Sequence, residues 1–239
     1  MILIKDRDDP RRRQVLQALA AGLFGLTLPA RYAQAQLLGK VPEKLPSGRS
    51  IYDMNGQVQV NSTAAGPDTQ INPNDTVETG PDGRVAFVVG QDAFLLRNNS
   101  KLTVRGQGGV IETVQLYAGK LLSVFGKSRH QVRTPTAIVG IRGTGVYTEA
   151  DPEQTYFCTC YGLVDLYGAN DPDSKETVNA QHHDAPKYIL ANARSGKRIR
   201  PAPFINHTDE ELMIIEALVG RTVPFAFSSQ DYTAPRREY

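Results

Sequence analysis

From Ile51 to Leu190 the chain alternates apolar and polar residues over short runs, the period at which successive side chains of a strand face opposite sides. Gly56-Gln-Val-Gln-Val60, Arg84-Val-Ala-Phe-Val-Val89, Ala93-Phe-Leu-Leu96 and Lys101-Leu-Thr-Val-Arg105 each predict a strand. Turn chemistry separates them: Thr79-Gly80, Pro81-Asp-Gly83, Asn98-Asn99, and Gly106-Gln-Gly-Gly109, a hairpin loop since no helix follows it. Val110–Leu116 and Gly119–Val124 predict two strands linked through Tyr117-Ala-Gly119. Ala137–Ile141, Val146 onward, Thr155–Tyr161, Tyr161–Tyr167 and Lys187–Leu190 continue the pattern.

After Ser195 the period changes. Leu212, Ile215, Leu218 and Val219 form one helical face. Thr208 supplies an N-cap with Glu211 at capping-box spacing, acids fill the first turn, and Gly220 ends the run. A helix near 208–219 is expected, plugging one end of the β structure or else docking a partner. The fold class is therefore mainly β, a roll, solenoid-like or sandwich body with one C-terminal amphipathic helix.

The N-terminus reads differently. Arg11, Arg12 and Arg13 precede an apolar run from Ala18 to Leu28, and Ala33-Gln-Ala35 fits a cleavage site. That run is too short to span a membrane, and no span is expected in the mature chain. An export signal over 1–35 is predicted, Tat-like in its arginine cluster, with an ordinary Sec signal as the other route and an uncleaved amphipathic or buried N-terminal helix as the competing reading. The mature protein would begin near Gln36, in the periplasm. The remaining boundaries are a linker over 36–50, a β domain over 51–195, an extension over 196–227 and a tail over 228–239. The signal carries six Lys/Arg and three Asp/Glu; without it the net charge moves from +2 to −1. A nucleic-acid surface is thereby unsupported.

The run Arg133-Thr-Pro-Thr-Ala-Ile-Val-Gly-Ile-Arg-Gly-Thr-Gly-Val-Tyr147 is the most specific in the chain. It resembles the signature of the FecR domain family, whose members carry a TPxAxVGVRGT-like stretch. Gly56–Val60, Asp75–Gly80, Val85–Val89, Phe94–Leu102, Leu116–Leu121 and Thr134–Thr144 are similar to the family's pieces and follow in its order. Family regulators add a cytoplasmic anti-sigma segment, a membrane span and a C-terminal signalling domain, none of which is expected from this sequence. What the resemblance implies is an extracytoplasmic β module that binds, senses or scaffolds without catalysis. Its partner would be an envelope protein or a small ligand. Gly140, Gly143 and Gly145 are expected to serve architecture.

One constellation could carry chemistry. Cys158 and Cys160, the chain's two cysteines, lie two apart on a predicted strand and so face one side. His182 and His183 lie downstream in a turn-rich connection, and only a turn lets adjacent histidines point together. Two thiolates and two imidazoles make a tetrahedral zinc set, with Asp184 as a substitute for His183; copper(I) or iron accept the same donors. A Cys158–Cys160 disulfide competes, at the limit of strand geometry, and so do unrelated core or surface residues. His130 and His207 lack ligand-type neighbours in sequence and are set aside. Two other functions stay open: a metal-dependent or thiol redox protein using the same four residues, and a polysaccharide-binding module using Tyr117, Tyr147, Tyr156 and Tyr161. No nucleophile elbow, P-loop, dinucleotide fingerprint or HExxH occurs, so no enzyme activity is expected.

Overall fold

The computed structural model describes residues 42–192 and 197–225. The expected export segment, the first part of the linker and the tail lie outside the described residues. Among the described residues fourteen strands join into one sheet. They are β1 (Ile51–Asn55), β2 (Val58–Val60), β3 (Thr63–Ala64), β4 (Thr76–Thr79), β5 (Arg84–Val89), β6 (Asp92–Leu96) and β7 (Lys101–Gln107). Then come β8 (Val110–Val124), β9 (Arg129–Arg133), β10 (Ala137–Ala150), β11 (Gln154–Gly168), β12 (Asp171–Ala180), β13 (Lys187–Leu190) and β14 (Ile199–Pro201). The single helix among the described residues is α1 (Asp209–Leu218). It is not long and apolar enough to cross a membrane. The fold is mainly β with one C-terminal amphipathic helix, as the periodicity predicts.

Three long strands shape the sheet. β8, β10 and β11 each contain a glycine at positive φ, namely Gly119, Gly143 and Gly162, and each changes partner there. β8 pairs with β7 before its bend and with β10 and β6 beyond it. β10 pairs first with β9, then with β8. β11 pairs first with β13, then with β12. Strands that switch neighbours at bulges turn corners, so the sheet folds over on itself. All pairings are antiparallel except the short contact of β8 with β9. The two strands expected around Tyr117 are thus one bent strand, because Gly119 changes the direction of the chain without leaving the ladder.

The glycine-rich run now has a physical role. Gly143 takes φ +60 inside the bulge of β10. At Gly145 a Cβ would stand 2.5 Å from the Tyr161 ring, so only glycine lets that ring lie across the strand. Gly140 has no such need: a Cβ there would meet nothing closer than 3.9 Å. The expectation of an architectural role therefore fits two of the three glycines. Thr134 and Thr136 anchor the start of the run, their hydroxyls meeting that of Thr155 at 2.6 and 2.7 Å.

Folding the sheet creates two apolar clusters. Inside the fold lie Val85, Phe87, Phe94, Leu96, Leu121, Val139, Ile141 and Phe157 with their neighbours. On the outer face, Ala93, Leu95, Leu122, Val124 and Tyr147 meet Leu212, Ile215 and Leu218 of α1. The helix therefore covers a face instead of plugging an end. Strands buried on both sides read as continuous apolar runs, which explains Ala93-Phe-Leu-Leu96. Thr208 caps the helix and both bonds of its capping box with Glu211 are made. At the other end the Leu45 N–H donates to the orphan Leu218 carbonyl at 2.9 Å, so the expected linker is fastened to the helix.

Candidate metal centre

The cysteines lie on β11, under α1. Alternation along the strand sends Phe157 into the interior cluster and Cys158 and Cys160 to the outer face, where both sulfurs are fully buried as free thiols. The chain returns to them after β12 in a tight turn. Asp184 accepts from the backbone N–H groups of Gln181 (2.6 Å) and His182 (3.3 Å). His183 adopts φ +55 and donates its own N–H to the Cys160 carbonyl at 3.0 Å. That turn lets two adjacent histidines approach the same carboxylate. His207 arrives from the segment just before the helix cap.

The four donors converge. Cys158 Sγ is 3.5 Å from His183 Nδ1, Cys160 Sγ is 3.5 Å from His207 Nε2, and the two imidazole nitrogens are 3.1 Å apart. All four ligand atoms lie within 4.8 Å of one another. Tetrahedral zinc, with bonds of about 2.3 Å to sulfur and about 2.0–2.1 Å to nitrogen, implies edges near 3.5 Å for sulfur–nitrogen and about 3.4 Å for nitrogen–nitrogen. The cluster could hold a metal ion.

The outer nitrogens sharpen the case. His207 Nδ1 faces the Ile205 carbonyl at 2.7 Å, and a carbonyl only accepts, so that nitrogen carries the proton. His183 Nε2 faces the Asp209 carboxylate at 3.0 Å and carries its proton too. In their neutral forms both rings then present bare lone pairs to each other across 3.1 Å. Such a pair repels unless a proton or a cation stands between. Outer partners of this kind, a carboxylate and a carbonyl, orient metal-binding histidines.

The titration tendencies agree with a site that wants positive charge. Burial raises the Cys158 thiol, but the Cys160 hydrogen bond and the His207 and His183 rings outweigh it and hold the thiol well below its ordinary range. Burial and the Cys158 thiolate push Cys160 up. Burial opposes charge on His183, yet Asp209 and Cys158 lift it to about 9. Burial raises Asp209 as well, and the two histidines reverse that and lower it. Aromatic rings keep the pocket dry: Tyr147 stacks on His207 at 4.4 Å, and Phe204 packs against His183 at 4.4 Å and His207 at 4.5 Å.

Of the four residues proposed from sequence, Cys158, Cys160 and His183 meet here. His182 does not join them, and His207, set aside earlier, takes the fourth corner. His182 instead directs Nε2 to both oxygens of Asp209 (2.8 and 3.0 Å) and stacks on Phe225 at 4.1 Å. It belongs with His183 and Asp209 to a second, outer group. Asp184 is occupied in the turn. His207 carried no local signal, since only docking of the helix on β11 brings it near the thiols. Asp209, one of the acids of the helix's first turn, is also the orienting carboxylate. His130 is buried on β9, 3.7 Å from the Asp92 carboxylate. The tyrosine platform is not formed: Tyr147, Tyr156 and Tyr161 are buried, and only Tyr117 is exposed.

No family model matches the sequence, and no curated protein matches it. Two crystal structures, at 1.65 and 2.50 Å, of a Parabacteroides distasonis ATCC 8503 protein provisionally assigned as an anti-sigma factor are similar to parts of this chain. Their TM-scores are 0.43 and 0.42 at 12% identity, covering 53% of this chain. The match spans 58% of that protein's length.

Proposed function

We propose that this chain is a non-enzymatic, extracytoplasmic binding and sensing module of the FecR type, in which a zinc ion clamps α1 onto the folded sheet. Cys158, Cys160, His183 and His207 would ligate it. The observation that carries the reading is the pair of imidazole nitrogens facing each other at 3.1 Å with a cysteine sulfur 3.5 Å from each. Four protein donors fill a tetrahedron and leave no position for substrate, which is the habit of structural zinc. The centre joins three segments far apart in sequence: a strand, a turn and the approach to a helix. Zinc bound there would fix the C-terminal extension to the β body.

Periplasmic residence rests on the export-like segment and the FecR-like run. Folding before export would let the thiolates load metal in a reducing compartment, since ligation and folding are coupled. A thiol redox role fits less well, because exchange needs an accessible thiolate and both sulfurs are buried. Copper(I) and iron are the competing ions.

The test is metal analysis with thiol titration on the purified chain. One zinc per chain is expected, with both thiols unreactive until a chelator is added. A metal-free chain with two freely titrating thiols, or an oxidised pair, would overturn the reading. Cell fractionation with N-terminal sequencing checks the compartment, with Gln36 as the expected first residue.

A further inference from the structure

Where α1 ends, a cavity of about 860 Å³ opens between the helix exit and the bends of β10 and β11, a volume inside the range of about 300–1,000 Å³ typical of small-molecule sites. Phe125, Tyr161 and Phe225 wall it, and the last two meet edge to face at 6.0 Å. Its one lining carboxylate, Glu216, is already matched. The Tyr161 hydroxyl donates to one oxygen and Arg221 Nε to the other at 2.6 Å, and the side chain is only 3% exposed.

The two cations of the lining keep capacity for a ligand. Arg221 is held rigid by Glu216 and by the Gln91 carbonyl, which accepts from Nη1 at 2.7 Å. Its Nη2 is fully buried with no partner among the described residues, but the side chain as a whole is 30% exposed and Nη1 keeps a second N–H. Lys127 is exposed at the mouth and makes no ion pair among the described residues. A pinned guanidinium with a spare N–H is preorganised for an oxyanion. With Arg221 paired to Glu216, a neutral sugar would leave the Lys127 charge unmatched, and a bare inorganic anion would leave the three rings uncovered.

We infer that this cavity binds a small organic acid, its carboxylate on Arg221 and Lys127 and its flat apolar body among Phe125, Tyr161 and Phe225. The inference goes beyond the zinc reading and does not depend on it, since none of the four converging donors lines the cavity. It assigns the binding module a ligand class.

Calorimetric titration of the whole chain with benzoate tests this, zinc content being measured on the same sample. Saturable one-to-one binding is expected. Benzamide, with the same ring and no charge, and inorganic phosphate, with charge and no ring, should each bind at least tenfold more weakly. Lys127→Glu and Arg221→Gln should each weaken benzoate at least tenfold. Arg221→Gln removes a partner from buried Glu216; if it fails to fold, Lys127→Glu decides alone. Benzoate that does not saturate, benzamide or phosphate as tight as benzoate, or Lys127→Glu without effect would each overturn the inference. Benzoate binding at any zinc content keeps this result separate from that of the metal reading.

Discussion

The interior of the folded sheet and the face beneath α1 are both dry, yet they are built from different residues. The interior is aliphatic and phenyl: Phe87, Phe94 and Phe125 pack ring on ring at 5.0 and 5.9 Å among valines and leucines. The face beneath the helix holds cysteines, tyrosines and the buried polar groups His183, His207, Asp209 and Glu216. Apolar burial dominates the first region, with the buried His130–Asp92 pair beside Phe125 as its polar exception. In the second, each buried polar group needs a partner, and the partners come from distant segments. The first should be held by packing, the second by chemistry that can be added or removed.

Phe94→Ala strikes the packed region hardest. Phe94 is fully buried on β6 between two other rings, and truncating such a side chain costs about 3–5 kcal/mol. Thermal melting should show the whole chain destabilised, to the same extent with or without zinc. Chelation probes the other region. With zinc at roughly 100- to 1,000-fold above its dissociation constant, its removal should cost about 3–4 kcal/mol. Hydrogen exchange should localise the loss to α1, the segment before it and β11, leaving β5 to β7 protected. If chelation opened β5 to β7 equally, the two regions would be one cooperative unit and the contrast would fail.

Gly143→Val acts on the bend that both regions share. Valine at φ +60 is strained, by about 1–3 kcal/mol for a residue forced into a sparsely populated region. No neighbouring atom stands closer than 3.6 Å to a Cβ there, so backbone strain and not a clash would be the cause. An unchanged melting temperature would mean the bend can form without glycine.

The same contrast decides how much was legible in sequence. The interior wrote itself as alternation, because Val85, Phe87 and Val89 need only a period of two to reach one face. The helix was legible down to its cap, because Thr208 and Glu211 interact locally. Cys158 and Cys160 were readable as a pair for the same reason. The bends were not: Gly119 looks like a turn between strands until its neighbours are seen to pair continuously. Neither was the fourth corner of the centre. His207 and Asp209 sit beside a helix cap, and their use depends on where the helix docks, a contact spanning 47 residues between His207 and Cys160. A local reading finds adjacent histidines more persuasive than two histidines 24 residues apart.

The smallest expected effect separates those two histidines. His207 supplies a donor atom at the centre, whereas His182 acts at one remove, through the Asp209 carboxylate that holds His183. His207→Ala should abolish stoichiometric zinc, because three donors leave the tetrahedron open. His182→Ala should keep one zinc per chain and weaken it less than tenfold. Loss of an outer-shell partner in direct contact with a ligand typically costs about 10- to 100-fold, and His182 is one bond further out. Zinc competition with a coloured chelator measures both variants on one scale. If His182→Ala lost its zinc and His207→Ala kept it, the adjacent histidines would be the true ligands and the helix would be held by packing alone.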